Sequence, residues 1–152
     1  MPGIGMNGKA DRLQRLAGEL ARHLDRWPKT GSQALQWLSS RGVEEEEADA
    51  IIETLTETGC LDDTLYARLF VEGHGNWGVF RLARELRARG IPDGIARKAI
   101  AEVSDPGVIH VMVRDWRKAG IDDKRIACRL IRRGFPAGDV ANALTSSCPG
   151  EE

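Results

Sequence analysis

The feature that most constrains this chain is a corner written three times. LSSRGVE (Leu38–Glu44), LRARGIP (Leu86–Pro92) and LIRRGFP (Leu130–Pro136) each run from a leucine through an arginine and a glycine to an apolar residue. Aligned on Gly42, Gly90 and Gly134, the chain stays in step beyond the corner. Val43, Ile91 and Phe135 match, as do Ala48, Ala96 and Val140, then Ile51, Ala99 and Ala143, then Ile52, Ile100 and Leu144. The spacing is helical, and its return after 48 and then 44 residues marks an internal repeat.

Each corner has a local physical reading. A helix that ends in a left-handed residue favours glycine, which has no Cβ to clash. Arg41, Arg89 and Arg133 fall in a last helical turn, where a cation suits the helix dipole. Pro92 and Pro136 then fall near the first turn of the next helix, where no N–H is required.

Apolar periodicity predicts three helices in each repeat. The first repeat has helices over about Ala10–Arg26, Ser32–Arg41 and Glu44–Thr58, with WPKTG (Trp27–Gly31) as a turn. The middle repeat has Thr64–Gly73, capped by Asp62 and Asp63, then Val79–Arg89 and Pro92–Val103. The last has Gly107–Lys118, Asp122–Arg133 and Pro136–Thr145. The expected organisation is a loose tail over residues 1–9, repeats over 10–59, 60–104 and 105–148, and a tail over 149–152. A three-helix unit of this size buries its apolar surface poorly alone. Stacked end to end, three of them form an all-α, elongated and curved helical solenoid. With 41% hydrophobic and 5% aromatic residues, the composition supplies a core and favours helices over sheets.

The net charge of −1 hides a segregation. Glu44 to Asp63 holds nine acids and no Lys or Arg. Gly78 to Lys98 holds six basic residues against two acids, and Arg114 to Arg133 eight against three. Such polarity suits a charged partner.

Catalytic patterns are missing: no HExxH, no GxSxG and no P-loop. His23 and His110 lie beside apolar helix positions and read as packing or surface residues. His74 lies in the Gly-rich break GHGNWG (Gly73–Gly78) and has scope for a polar contact. The acids Glu44–Glu47 read as a solvated first helical turn favoured by the dipole. Cys60, Cys128 and Cys148 form neither a disulfide framework nor a zinc site. No secretory segment and no run of about 18 apolar residues occurs, so a soluble cytosolic protein is expected. No enzyme, metal or cofactor is expected either.

Basic helix faces carry the functional expectation. Arg81, Arg84 and Arg87 recur at i, i+3 and i+6, roughly opposite Leu82 and Leu86, and Arg97 and Lys98 add charge from the next helix. Arg125, Arg129, Arg132 and Arg133 do the same in the last repeat. The plain alternative is a solvated face with i,i+4 pairs such as Arg81–Glu85. The preference for Arg over Lys favours carboxylate or phosphate recognition. Trp77 either anchors a partner or closes the corner between two helices.

Gly59 to Ile91, GCLDDTLYARLFV…GNWGVFRLARELRARGI, resembles the signature region of the RecX family, the bacterial regulators of the RecA recombinase. RLIRRGF (Arg129–Phe135) resembles that family's C-terminal repeat. Val79 stands where proline is common in the family, and Cys60 where an aromatic is usual. The resemblance implies a cytoplasmic, non-enzymatic protein of three three-helix repeats. It would lie in the groove of the RecA–single-stranded DNA filament and inhibit or modulate recombinase, ATPase and coprotease activity. On that view the basic residues named above contact the filament and a monomer is expected, with no membrane partner. The alternatives are a helical protein that binds single- or double-stranded DNA directly, and a protein–protein adaptor.

Overall fold

The computed structural model describes residues 4–146, and the chain is helical with no strand among the described residues. In order the helices are α1 (Ile4–Arg26), α2 (Gly31–Ser40), α3 (Glu45–Glu57), α4 (Asp63–Gly73), α5 (Val79–Ala88), α6 (Asp93–Val103), α7 (Val108–Lys118), α8 (Asp123–Arg132) and α9 (Ala137–Ser146). From α2 to α9 every boundary lies within one residue of the expectation from periodicity and caps. Cys148 and the 149–152 segment lie outside the described residues.

The start of α1 differs. Residues 4–9, expected in a loose tail, are helical, and α1 begins at Ile4 instead of near Ala10. Gly5 and Gly8 argue against helix by about 1 kcal/mol each. Extending a helix that already exists needs no new nucleus, however. Lys9 also gains a partner in α3, with its Nζ 2.7 Å from Glu47. That hydrogen bond raises the Lys9 ammonium above its ordinary pKa.

Two compact units make up the chain. Unit one runs to Tyr66 and takes in Arg89–Ile91; unit two holds Ala67–Ala88 and the chain from Pro92 onward. The core of unit one is Leu20, Leu24, Ala34, Leu38, Val43, Ala48, Leu55 and Leu61. Unit two has a core of Ile109, Val113, Ile126, Leu130, Phe135, Val140 and Ala143. Ala67, Val71, Leu82, Leu86, Ala96, Ala99 and Ile100 are buried in it as well. The repeat alignment supplies Leu38, Val43, Ala48, Leu86, Ala96, Ala99, Ile100, Leu130, Phe135, Val140 and Ala143 among them, while its Ile51, Ile52 and Leu144 are only partly buried.

The corners take the predicted form. Gly42, Gly90 and Gly134 have φ of +79°, +82° and +96°. After α2 the Gly42 N–H donates to Ser39 O and the Val43 N–H to Leu38 O. After α8 Gly134 donates to Ile131 O and Phe135 to Leu130 O. This double closure satisfies the last carbonyls and brings Val43 and Phe135 into the same cores as Leu38 and Leu130.

The corner also serves as a seat. In unit one the start of α2 rests on Arg89–Gly90. The Thr30 hydroxyl donates to Arg89 O at 2.5 Å and accepts from Gln33 N at 3.1 Å. A Cβ on Gly90 would stand 2.2 Å from the Ser32 Cβ. In unit two the start of α5 rests on Arg133–Phe135. The Gly78 N–H donates to Arg133 O at 2.8 Å and the Phe80 N–H to Gly134 O at 3.0 Å. Both joints set donors at a helix start against the carbonyl of a corner arginine, so groups otherwise orphaned satisfy each other within one unit. Thr30 is fully buried, and its capping box with Gln33 leaves its hydroxyl satisfied on both sides.

Candidate functional site

Nine cations were expected to face a partner, and the fold sorts them by what they already touch. Arg81 belongs to the joint. Its Cβ and backbone N lie against Gly134, and its guanidinium sits 3.9 Å over the Trp77 ring. Its Nε is buried without a hydrogen-bond partner. Arg87 reaches Asp93 at 3.4 Å, a long and exposed contact. Arg129 and Arg133 lie 5.5 and 5.3 Å from the Trp116 ring centroid. Arg84, Arg97, Lys98, Arg125 and Arg132 are exposed, and no acid or ring in the described residues holds them.

Helix geometry explains the sorting. On α5 the buried residues are Leu82 and Leu86, and Arg84 stands diametrically opposite them. On α6 the buried face is Ala96, Ala99 and Ile100, which leaves Arg97 and Lys98 outward. On α8 it is Ile126 and Leu130. Lys124, Arg125, Arg129 and Arg132 line one shallow groove of about 530 Å³ on the other side, with Asp122 and Cys128. Lys124 is a cation the sequence reading did not include in the site. Its signal was the stripe Lys124–Cys128–Arg132 at i, i+4, i+8.

Arg117 is withdrawn from solvent. It grips Asp123 by Nε and Nη2, each at 2.9 Å, and donates to Leu144 O at 2.8 Å. That forked hydrogen bond holds the Asp123 carboxyl below the usual carboxylate range.

The GHGNWG break forms an aromatic stack. Phe70 and His74 have ring centroids 4.3 Å apart, and His74 and Trp77 4.1 Å. The His74 Nδ1 pairs with Phe70 O at 2.8 Å. Trp77 therefore closes the corner between α4 and α5, with the stacked His74 on one side and Arg81 on its face. Beside it lies a cavity of about 340 Å³ lined by His74, Trp77, His110, Phe135 and Asp139, among others. No group of three or more His, Cys, Asp or Glu suited to a metal occurs among the described residues. Cys60 and Cys128 are exposed free thiols. No helix of the described residues is long and apolar enough to cross a membrane.

These features define an all-α protein in which a helix-corner-helix pattern recurs, with outward basic faces on α5, α6 and α8. Comparison with known proteins names the kind. Residues 62–100 match the model of the second three-helix domain of RecX. A regulatory protein RecX of Halorhodospira halophila is 32% identical over 86% of this chain and 87% of its own length. One from Lactobacillus delbrueckii subsp. bulgaricus is 31% identical over 82% of this chain, which spans about half, 50%, of that longer relative. The crystal structure of RecX from Lactobacillus salivarius superposes with a TM-score of 0.75 at 18% identity, over 91% of this chain and 97% of that one. The chain belongs to the RecX family of regulatory proteins.

Proposed function

We propose that this protein is a cytoplasmic, non-catalytic regulator. It binds the RecA–single-stranded DNA filament as a monomer and inhibits or modulates its recombinase, ATPase and coprotease activities. The observation that carries the reading is the set of outward cations without internal partners: Arg84, Arg97, Lys98, Arg125 and Arg132, joined by Lys124 in the α8 groove. Guanidinium forks left unpaired on several helices suit carboxylates or phosphates of an extended partner. A cation already tied to an acid or a ring must give up that contact first, so Arg81, Arg87, Arg129 and Arg133 contribute less.

The test is the host recombinase's filament-dependent ATP hydrolysis with the protein in several-fold excess. Inhibition is expected, together with its loss in an Arg84→Glu/Arg125→Glu/Arg132→Glu variant whose helicity and melting are unchanged. No effect of the unmodified protein on ATPase or strand exchange would overturn the proposal.

The same free guanidiniums support a second reading, direct binding of DNA without recombinase. It requires affinity that falls steeply with salt, and alanine at the same three positions should flatten the log–log slope by about 0.7 per lost single-strand phosphate contact. An unchanged slope rules this reading out.

A further inference from the structure

The helix-on-corner joint occurs twice among the described residues, yet the repeated arginine–glycine corner occurs three times, as does the helix that could seat on one. Thr30, Gly78 and Asp122 immediately precede α2, α5 and α8, each twelve residues before its corner glycine, Gly42, Gly90 or Gly134. Thr30 seats on Arg89 O and Gly78 on Arg133 O. Among the described residues that leaves one of the three repeated corners without a helix upon it, Arg41–Gly42, and one of the three helix starts without such a corner beneath it, Asp122 at α8. Two molecules could satisfy each other there, in a head-to-tail contact that leaves each copy with a further free end to offer.

Both ends are blocked, by different chemistry. The equivalent of the carbonyls of Arg89 and Arg133 is Arg41 O, and it accepts from the Arg12 Nη2 of α1 at 2.6 Å. The same Nη2 would stand 3.5 Å from a Cβ on Gly42, over the surface that Ser32 covers at Gly90 and Arg81 covers at Gly134. A guanidinium thus occupies the position of a helix start and offsets the partial negative charge at the end of α2. At the other end Asp122 accepts from Arg125 N at 2.9 Å and caps α8. Thr30 can accept from its own helix and donate to a carbonyl at once, because a hydroxyl does both. An ionised carboxylate only accepts, and beside a corner carbonyl it repels.

We propose that Arg12 and Asp122 are end-stops, which keep the Arg41–Gly42 corner of one molecule from accepting the α8 start of a second copy through the joint used twice inside the chain. Arg12 fills the acceptor, and Asp122 spoils the donor.

The experiment restores the joint at both ends. Threonine at 122 keeps the helix cap and regains a hydroxyl donor, and alanine at 12 uncovers Arg41 O at an exposed site. Sedimentation velocity should show single-protomer mass for the unmodified protein, Arg12→Ala and Asp122→Thr. The double variant Arg12→Ala/Asp122→Thr, with helicity and melting retained, should reach at least twice the protomer mass and grow with concentration. Arg12→Lys/Asp122→Thr, which keeps a cation at the corner, should return to the protomer. A folded double variant that stays at protomer mass would overturn the proposal, as would self-association of the unmodified protein.

Discussion

Replacing Gly78 with alanine should destabilise unit two by about 3–5 kcal/mol and lower Tm by about 10 °C in a thermal melt followed by helicity. The backbone at Gly78 needs no unusual φ, so the reason is space alone. A Cβ there would lie 2.2 Å from Phe135 N, 2.3 Å from Gly134 C and 2.4 Å from Gly134 O. These are backbone atoms of a closed corner and cannot swing aside as a side-chain tip can. Making room must separate the joint and lose the bonds from Gly78 N to Arg133 O and from Phe80 N to Gly134 O. Overpacking costs about 1–3 kcal/mol, and each buried backbone group left without a partner about 1–3 kcal/mol more. Gly134→Ala approaches the same joint from the other side. Its Cβ would stand 2.4 Å from Arg81 N at a φ of +96°, which adds about 1–2 kcal/mol of left-handed strain. Because the two changes disrupt one contact, their effects should fall short of additive. Gly75→Ala is the control, since nothing lies within 4 Å of its Cβ. A Gly78→Ala protein that melts with the Gly75→Ala protein would sink this account of the joint.

Much of this fold was legible because it is local. A glycine closing a helix, the leucine before it and the apolar residue after it lie within a few positions, and the corners form as that text requires. Helix limits from α2 to α9 followed for the same reason. Residues 4–9 of α1 were misjudged because the acid that holds Lys9 is Glu47, far along the chain. The second use of the corner was also hidden. Nothing near Gly90 announces Ser32, and nothing near Gly78 announces Gly134. In the candidate site the sequence identified the basic faces but could not separate bound cations from free ones. Arg81, Arg84 and Arg87 are alike at i, i+3, i+6, yet the first lies over Trp77, the third makes a long, exposed contact with Asp93, and Arg84 has neither. The Trp116 ring likewise lies 5.5 and 5.3 Å from the Arg129 and Arg133 guanidiniums, contacts that no spacing announces.

Thr30→Val should cost about 2–3 kcal/mol, read as a lower urea midpoint at unchanged m. Thr30 is fully buried, and its hydroxyl is used twice. It caps α2 by accepting from Gln33 N and satisfies the corner of the same unit by donating to Arg89 O. Loss of the cap alone costs about 1 kcal/mol, and an acceptor left dry costs about 1–3 kcal/mol. Valine fills nearly the same volume and recovers part of this through its extra methyl, so cavity formation adds little. Thr30→Ser keeps the hydroxyl, drops one methyl and should cost about 0.8 kcal/mol. Valine as stable as serine at this position would refute the hydroxyl account. The three corner carbonyls then fall into two classes. Arg133 O takes a backbone donor from buried Gly78 and Arg89 O the hydroxyl of fully buried Thr30, while Arg41 O takes the exposed guanidinium of Arg12. Where the donor is exposed, water replaces it on removal, and Arg12→Ala should leave stability within about 0.5 kcal/mol. Gly78→Ala, Thr30→Val and Arg12→Ala should therefore destabilise in that order: the first adds a backbone clash to a broken buried joint, the second breaks a buried joint alone, and the third breaks one that water replaces.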